Sequence, residues 1–138
     1  MSNKHFLMAC ALLVASGTGA MAASPYPESI VGTWSMSANQ STLTLTISRQ
    51  TGPAACKSVT GTLVDSVNGP SDIEGFYCPA SGRLSFLRED TVHKRTYQTF
   101  TGNVSYPGDT TYMAGIFAQA VGTTPGEYDF FASLNPPT

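Results

Sequence analysis

The clearest pattern in the chain is the alternation of polar and apolar residues between Thr42 and Ser48. Leu43, Leu45 and Ile47 fall on every second position, as expected for a half-buried β-strand with its apolar face turned inward. Similar β-rich segments recur along the chain at intervals of about ten to fifteen residues, with turn residues between them. We predict eight strands from this spacing: Val31–Ser37, Thr42–Arg49, Lys57–Val64, Asp72–Cys78, Arg83–Arg88, Thr96–Ser105, Thr111–Gln119 and Glu127–Leu134.

The joints between these segments are mostly short and contain asparagine, glycine or proline. Such joints favour hairpins between neighbouring antiparallel strands. The exception is the charged run from Arg88 to Arg95, which shows no apolar alternation. We interpret this run as a solvated loop between the fifth and sixth strands.

Four of the predicted strands have a glycine near the centre, namely Gly61, Gly75, Gly102 and Gly115. Glycine weakens an ordinary strand, because it offers no side chain for packing. It is favoured where a strongly coiled sheet bends to close on itself, or where a bulky side chain packs onto bare backbone. The repeated glycines therefore indicate a closed barrel.

The start of the chain has the pattern of a secretory signal peptide. Lys4 precedes the apolar run Phe6–Ala15, and small residues follow that fit the site of signal peptidase. The run is shorter than the ~20 residues that a membrane-spanning helix needs. We predict a signal peptide at 1–22, helical in the unprocessed precursor, and a secreted or periplasmic mature protein without a membrane span. The alternative, which the residues favour less, is lipoprotein processing at Cys10.

The mature chain has the length of one domain. We assign an extended arm to 23–30, with order beginning at Val31, a barrel to 31–134 and a tail to 135–138. The full chain has 7 basic and 9 acidic side chains, and loss of Lys4 with the signal peptide changes the formal net charge from −2 to about −3. This balance argues against nucleic-acid binding, which requires a basic face.

Removal of the signal peptide would leave two cysteines, Cys56 and Cys78. If the third and fourth strands form a hairpin centred near Val67, facing residues have numbers that add up to 134, and the two cysteines meet this condition. Directly opposed side chains lie close enough for a disulfide after small local adjustments. We therefore predict a structural bridge. A redox-active pair is the weaker alternative, because the spacing is not C-x-x-C.

Several of the strands resemble those of the avidin and streptavidin family. Gly32-Thr33-Trp34 resembles the G-x-W opening of that family's first strand, and Val59–Leu63 resembles its L-T-G-T-Y third strand. Similar matches occur on the second, fourth and sixth strands, at Ser41–Thr44, Ile73–Tyr77 and Thr99–Gly102. Lipocalins share the G-x-W opening. The resemblance therefore implies an all-β, eight-stranded antiparallel up-and-down barrel, streptavidin-like or lipocalin-like.

The residues that hold biotin in that family are only partly matched. The family uses an Asn near the first hairpin and a Tyr at the end of the third-strand motif, where this chain has Met36 and Leu63. A sixth-strand Trp is replaced by Phe100, whereas Asp129 stands where the family has an aspartate. A site built on buried hydrogen bonds loses much affinity when its polar groups are removed. The resemblance thus implies a barrel that does not bind biotin tightly.

Alternation along the sixth strand places Thr96, Gln98 and Phe100 on one inward face. We predict a ligand-binding set at the open mouth of the barrel, consisting of Met36, Ser37, Leu63, Tyr77, Gln98, Phe100 and Asp129. The alternative is that these side chains fill the interior, because an eight-stranded barrel holds either side chains or one small ligand. We expect Trp34 to plug the closed end, with its N–H bonded nearby.

The sequence favours binding over catalysis. His93 lies in the charged run beside Glu89 and Asp90, a set that we interpret as solvated ion pairs rather than a metal site. We expect a non-enzymatic barrel, without cofactor or metal, that binds a small or extended ligand at its mouth. The alternative is a protein-interaction module, such as a secreted inhibitor or a surface component. One of Phe130 and Phe131 must face outward, which together with the resemblance predicts a dimer or tetramer.

Overall fold

The computed structural model describes residues 24–90, 96–106, 109–120 and 124–137. The predicted signal peptide, Cys10 and His93 lie outside these residues. The described residues form eight strands: β1 (Gly32–Ala38), β2 (Ser41–Thr51), β3 (Lys57–Asp65), β4 (Gly69–Cys78), β5 (Arg83–Glu89), β6 (Thr96–Ser105), β7 (Tyr112–Gln119) and β8 (Gly126–Leu134). This part of the chain has no helix with the length and apolarity that a membrane crossing requires.

Each strand pairs antiparallel with its neighbours in the chain, and β8 closes the barrel against β1. The predicted all-β, eight-stranded up-and-down barrel is thus confirmed. The largest difference in strand bounds is at β4, which begins at Gly69 rather than at Asp72. Short apolar alternation and turn residues are therefore sufficient to locate the strands of this fold.

The two ends of the barrel are called the mouth and the base. The mouth is the end where β1, β3, β5 and β7 finish, and the base is the end where they begin. At the mouth, Asn39 and Gln40 connect β1 to β2 with φ angles of 41° and 69°. Two consecutive left-handed residues make a tight hairpin turn whose twist matches that of the paired strands.

The β3–β4 hairpin has the predicted register, which is centred near Val67. Lys57 faces Tyr77, and facing residues along the hairpin have numbers that add up to 134. A disulfide joins Cys56, immediately before β3, to Cys78 at the end of β4. The predicted bridge is confirmed, and it is consistent with an oxidising compartment.

The central glycines lie where the backbone of a neighbouring strand passes very close. A Cβ atom at Gly61 would lie 1.9 Å from the carbonyl oxygen of Thr46, and one at Gly115 would lie 2.1 Å from that of Thr101. Both obstacles are backbone atoms, so rotation of a side chain could not make room. Glycine at these positions allows the sheet to bend into a closed barrel.

Inward-facing residues of all eight strands form one apolar core. On the outer face, Ile116 and Phe131 are 45% and 49% exposed, whereas Phe130 is buried. The prediction that one of the two adjacent phenylalanines faces outward is therefore confirmed, and Phe131 is that residue.

The N-terminal arm closes the base. Ile30 is fully buried, and its carbonyl accepts a hydrogen bond from Trp34 Nε1 at 3.1 Å. Gln50 accepts a bond from the Ile30 N–H at 3.0 Å and donates one to the Glu28 carbonyl at 2.8 Å. The role of Trp34 as a plug is confirmed. Backbone groups of the arm thus pair with a polar side chain of the barrel, and the first strand begins at Gly32, one residue after the predicted start.

Tyr77 also holds the arm, and its ionisation gives a testable consequence. Its hydroxyl donates to the Pro27 carbonyl at 2.7 Å. Burial, with smaller contributions from Glu28 and Tyr26, raises the pKa of Tyr77 to about 12. Since tyrosine in an unfolded chain ionises near pH ~10, this group favours the folded state below that pH, and its contribution falls as pH rises towards 12.

We expect a spectrophotometric titration of the folded protein to show one late-ionising tyrosine that is absent from Tyr77→Phe. The variant should also lose about 1 kcal/mol of unfolding free energy at neutral pH, the value of one hydrogen bond. Tyr106→Phe is the matched control, because Tyr106 is 55% exposed and should leave the late step unchanged. A late step that persists in Tyr77→Phe would contradict this assignment.

Candidate functional site

A row of aromatic side chains crosses the interior below the mouth. Phe86, Phe100, Phe117 and Tyr128 face one another in turn along the ladders of β5 to β8. The phenylalanine rings stack with centroids 4.6 and 5.0 Å apart, and the Tyr128 ring lies 5.3 Å from Phe117. This aromatic row fills the interior at this depth and forms a floor below the mouth.

One step nearer the mouth, inward positions of β5, β6 and β7 are polar. Arg88 faces Gln98, and Gln98 faces Gln119; we call these residues the polar row. Gln98 Nε2 donates to Gln119 Oε1 at 2.7 Å, and Gln119 Nε2 donates to the Thr124 carbonyl at 3.3 Å. The polar row is thus a connected series of hydrogen bonds that spans three strands.

Arg88 is the buried charge of this site, with a side chain that is only 3% exposed. Its Nε donates to Ser71 Oγ at 3.1 Å and its Nη1 to Gln98 Oε1 at 3.0 Å, so both acceptors are neutral. Its Nη2 is buried and has no hydrogen-bond partner among the described residues. Burial lowers the pKa of Arg88, but arginine remains charged in proteins. The guanidinium therefore has donor capacity to spare.

Asp65 is an acidic neighbour of Arg88 but lies outside hydrogen-bonding range. Its Oδ2 is 3.9 Å from Arg88 Nη2. Its oxygens accept bonds of 2.8 Å from the Val67 N–H and the Asn68 side chain. Burial raises the pKa of Asp65, but these hydrogen bonds and the charge of Arg88 outweigh it and hold the pKa below its usual value. The carboxylate is ionised at neutral pH and is committed to the β3–β4 turn.

Tyr97 joins the site through a β-bulge. The register shifts by one position after the Arg88–Gln98 pair, which leaves Tyr97 outside the regular ladder. Its ring centroid lies 4.9 Å from the guanidinium carbon of Arg88, and its hydroxyl lies 2.6 Å from Ser71 Oγ. The cation–π contact stabilises the buried charge without supplying an acceptor for Nη2.

The position of Arg88 corrects the prediction that Arg88–Arg95 is a solvated loop. Arg88 and Glu89 belong to β5, and Arg88 points inward. The reason is that inward positions Leu84 and Phe86 continue by period two to Arg88, where polar partners hold the long side chain inside. Positions 91–95 of the run lie outside the described residues.

The predicted ligand-binding residues do not form one cluster. Met36, Leu63 and Phe100 are buried within the apolar core, as the filled-interior alternative expects. Gln98 belongs to the polar row at the mouth.

The other members of the predicted set lie elsewhere. Tyr77 faces inward as expected, but it lies at the base, where it binds the arm. Ser37 and Asp129 are exposed on the outer face, because they alternate with the buried residues of β1 and β8. Of the set, only Gln98 therefore lies in the polar row.

Sequence reasoning missed Ser71, Arg88 and Gln119 at this site. The signal for each was present, since they lie two positions from the inward residues Ile73, Phe86 and Phe117. A count by period two along each strand would have placed them inside.

A concave surface lies on the outer face of the barrel. It has a volume of about 330 Å³ and is lined by Ser48, Thr60, Gly61, Thr62, Asp72, Ile73, Glu74 and Glu89. Its polar lining residues are exposed or half-buried. Because the mouth has a buried charge with an unused donor, we assign the candidate site to the mouth.

Within the described residues, no group of three or more His, Cys, Asp or Glu side chains is arranged to hold a metal ion. No family model matches the chain, and no curated protein matches it. The function is therefore inferred from the geometry of the mouth.

Proposed function

We propose that the protein is an exported, non-enzymatic barrel that binds a small ligand at its mouth. The observation that carries the proposal is Arg88, a buried charge above an aromatic floor with Nη2 unpaired among the described residues. Replacement of a buried ion pair by apolar side chains is often neutral or stabilising. Stability alone therefore gives little reason for a charge at this position, whereas recognition of a polar ligand does.

The aromatic row limits how deep the ligand lies. Phe86, Phe100 and Phe117 are packed against each other directly below the polar row. The ligand would therefore contact Arg88 and lie on the mouth side of the aromatic row. Biotin is disfavoured, because Met36 and Leu63 provide no polar anchors in the interior.

Export is supported by two features. The leader at 1–22 has the composition of a secretory signal. The Cys56–Cys78 disulfide is of the kind that persists in the periplasm or outside the cell. The mass of the protein purified from its own producer would show whether the leader has been removed.

Arg88→Met tests the binding role. We expect the unfolding free energy of the variant to lie within about 1 kcal/mol of the wild-type value or to exceed it. The reason is that the variant leaves no fully buried charge without a partner. Asp65 remains 15% exposed and keeps its own hydrogen bonds. Native mass spectrometry should show a small molecule retained by the wild type and absent from the variant. Urea unfolding measures the stability.

Arg83→Met is the matched control, because Arg83 lies on the same strand and is exposed. This variant should retain the small molecule. A loss of more than about 3 kcal/mol in Arg88→Met, the amount typical of breaking a buried pair, would instead assign Arg88 a structural role.

A second candidate is a protein-interaction module, and the outer face of β7 and β8 favours it. Ile116 and Phe131 are exposed there, and Phe131 stacks on Tyr112 with centroids 5.4 Å apart. Exposed apolar patches often mark protein contacts, including the dimer or tetramer expected above. The same mass spectra separate the candidates, since an interaction module would show assemblies without a small-molecule adduct.

A further inference from the structure

We propose that the ligand of the mouth is a small monocarboxylate, whose carboxylate accepts hydrogen bonds from Arg88 Nη2. This inference rests on the proposed function and names the class of ligand that the mouth takes. It follows from the donors that the site offers, the acceptors already used, and the charge around them.

The guanidinium lacks an anion in hydrogen-bond contact among the described residues. Ser71 Oγ accepts a hydrogen bond from Nε and Gln98 Oε1 accepts one from Nη1, and both of these acceptors are neutral. Nη2 is buried without a partner. Hydrogen bonds between a guanidinium and a carboxylate are roughly twice as strong as neutral ones, and their planar shapes match. An anionic oxygen is therefore the acceptor that this nitrogen favours most.

Asp65 is poorly placed to be that acceptor. To move from 3.9 Å into bonding range of Nη2, its carboxylate would have to weaken the bonds from Val67 and Asn68 that define the β3–β4 turn. The acceptor for Nη2 must therefore come from outside the described residues, and a ligand in the mouth can provide it.

The same aspartate limits the charge of the ligand. Arg88 and Asp65 bring one charge of each sign to the site, so a second anion close to Nη2 is repelled by Asp65 while it is attracted by Arg88. A doubly charged phosphate is bulkier than a carboxylate, and its second charge raises the cost of removing it from water. A neutral amide would offer Nη2 only a neutral acceptor, and such a hydrogen bond is weaker than one to an anionic oxygen. A monocarboxylate provides an anionic acceptor and carries only one negative charge.

Movement of Tyr97 would give a ligand access to the guanidinium of Arg88. The tyrosine side chain is half-buried, projects from the bulge of β6 and lies over the guanidinium. Rotation of Tyr97 would uncover Arg88 without breaking the strand ladder. It would also release the Ser71 hydroxyl from its 2.6 Å contact with Tyr97, so that Ser71 could donate to the second carboxylate oxygen.

The test uses hexanoate, hexanamide and inorganic phosphate as probes at millimolar concentration. Their binding to the ¹⁵N-labelled mature protein is followed by NMR at the Nε–H signal of Arg88. This signal is identified as the one that is missing from the spectrum of Arg88→Met. We expect hexanoate to shift this signal, and the other two probes to leave it unchanged. Arg88→Met should bind hexanoate at least about tenfold more weakly, as expected for loss of one charge-assisted hydrogen bond. Arg83→Met should bind it as the wild type does.

Each outcome decides the inference. A shift by hexanoate alone supports it. If Arg88→Met does not fold, sequential assignment of the wild-type spectrum identifies the Arg88 Nε–H signal instead. An equal or larger response to phosphate or hexanamide overturns the monocarboxylate. If no probe binds but the purified protein retains a small molecule that depends on Arg88, the inference fails and the proposed function stands. If no probe binds and no molecule is retained, both fail.

Discussion

The double variant Cys56→Ala/Cys78→Ala should unfold at lower urea concentration than the wild type, with a loss of about 3 kcal/mol in unfolding free energy. The bridge joins positions separated by 22 residues, and by the loop-closure estimate a loop of this size restricts the unfolded chain by about that amount. The folded barrel should persist, because the β3–β4 hairpin is held by its own continuous ladder from Lys57 to Asp65.

Reduction provides the control for this prediction. The reduced wild type should unfold near the midpoint of the double variant, and the variant should not respond to the reductant. Equal midpoints for the oxidised wild type and the variant would show that the bridge contributes nothing to stability. A non-cooperative transition in the variant would show that the barrel itself depends on the bridge.

The strands could be predicted from the sequence because each is a half-buried ribbon whose inward positions are mostly apolar. Leu43, Leu45 and Ile47 show this directly, and all three are buried. The disulfide could be predicted because a hairpin with a known centre fixes which residues face each other. Both predictions rest on local patterns, namely strand alternation and hairpin pairing, and closure of the barrel leaves these patterns unchanged.

The site was harder to predict because its polar residues interrupt the apolar pattern. Arg88 was placed in a solvated run by its charged neighbours, although Phe86 two positions earlier points inward. Tyr97 reaches the mouth only through a bulge, and no alternation rule fixes where a bulge occurs. Of the positions carried over from the avidin resemblance, Met36, Leu63 and Phe100 are packed in the core, in agreement with the alternative of a filled interior.

Closure of the barrel depends on close contacts between the backbones of neighbouring strands, and Gly75→Ala should show this dependence. A Cβ atom at this position would lie 2.0 Å from the Ser85 carbonyl oxygen and 2.5 Å from Phe86 Cα. Overpacking of a well-packed site typically costs 1–3 kcal/mol, and we expect about 3 kcal/mol here because the obstacles are backbone atoms. Urea unfolding measures the loss.

Glu74→Ala is the matched control, since Glu74 is the preceding residue and is exposed. It should change the unfolding free energy by no more than about 0.5 kcal/mol, as is usual for surface positions. In Gly75→Ala, β5 can relieve the contact only by moving away from β4, and Phe86 moves with it. The near-ultraviolet circular dichroism of the aromatic row should therefore weaken together with the stability. A Gly75→Ala protein with wild-type stability and an unchanged aromatic signal would mean that the bend at Gly75 does not need glycine.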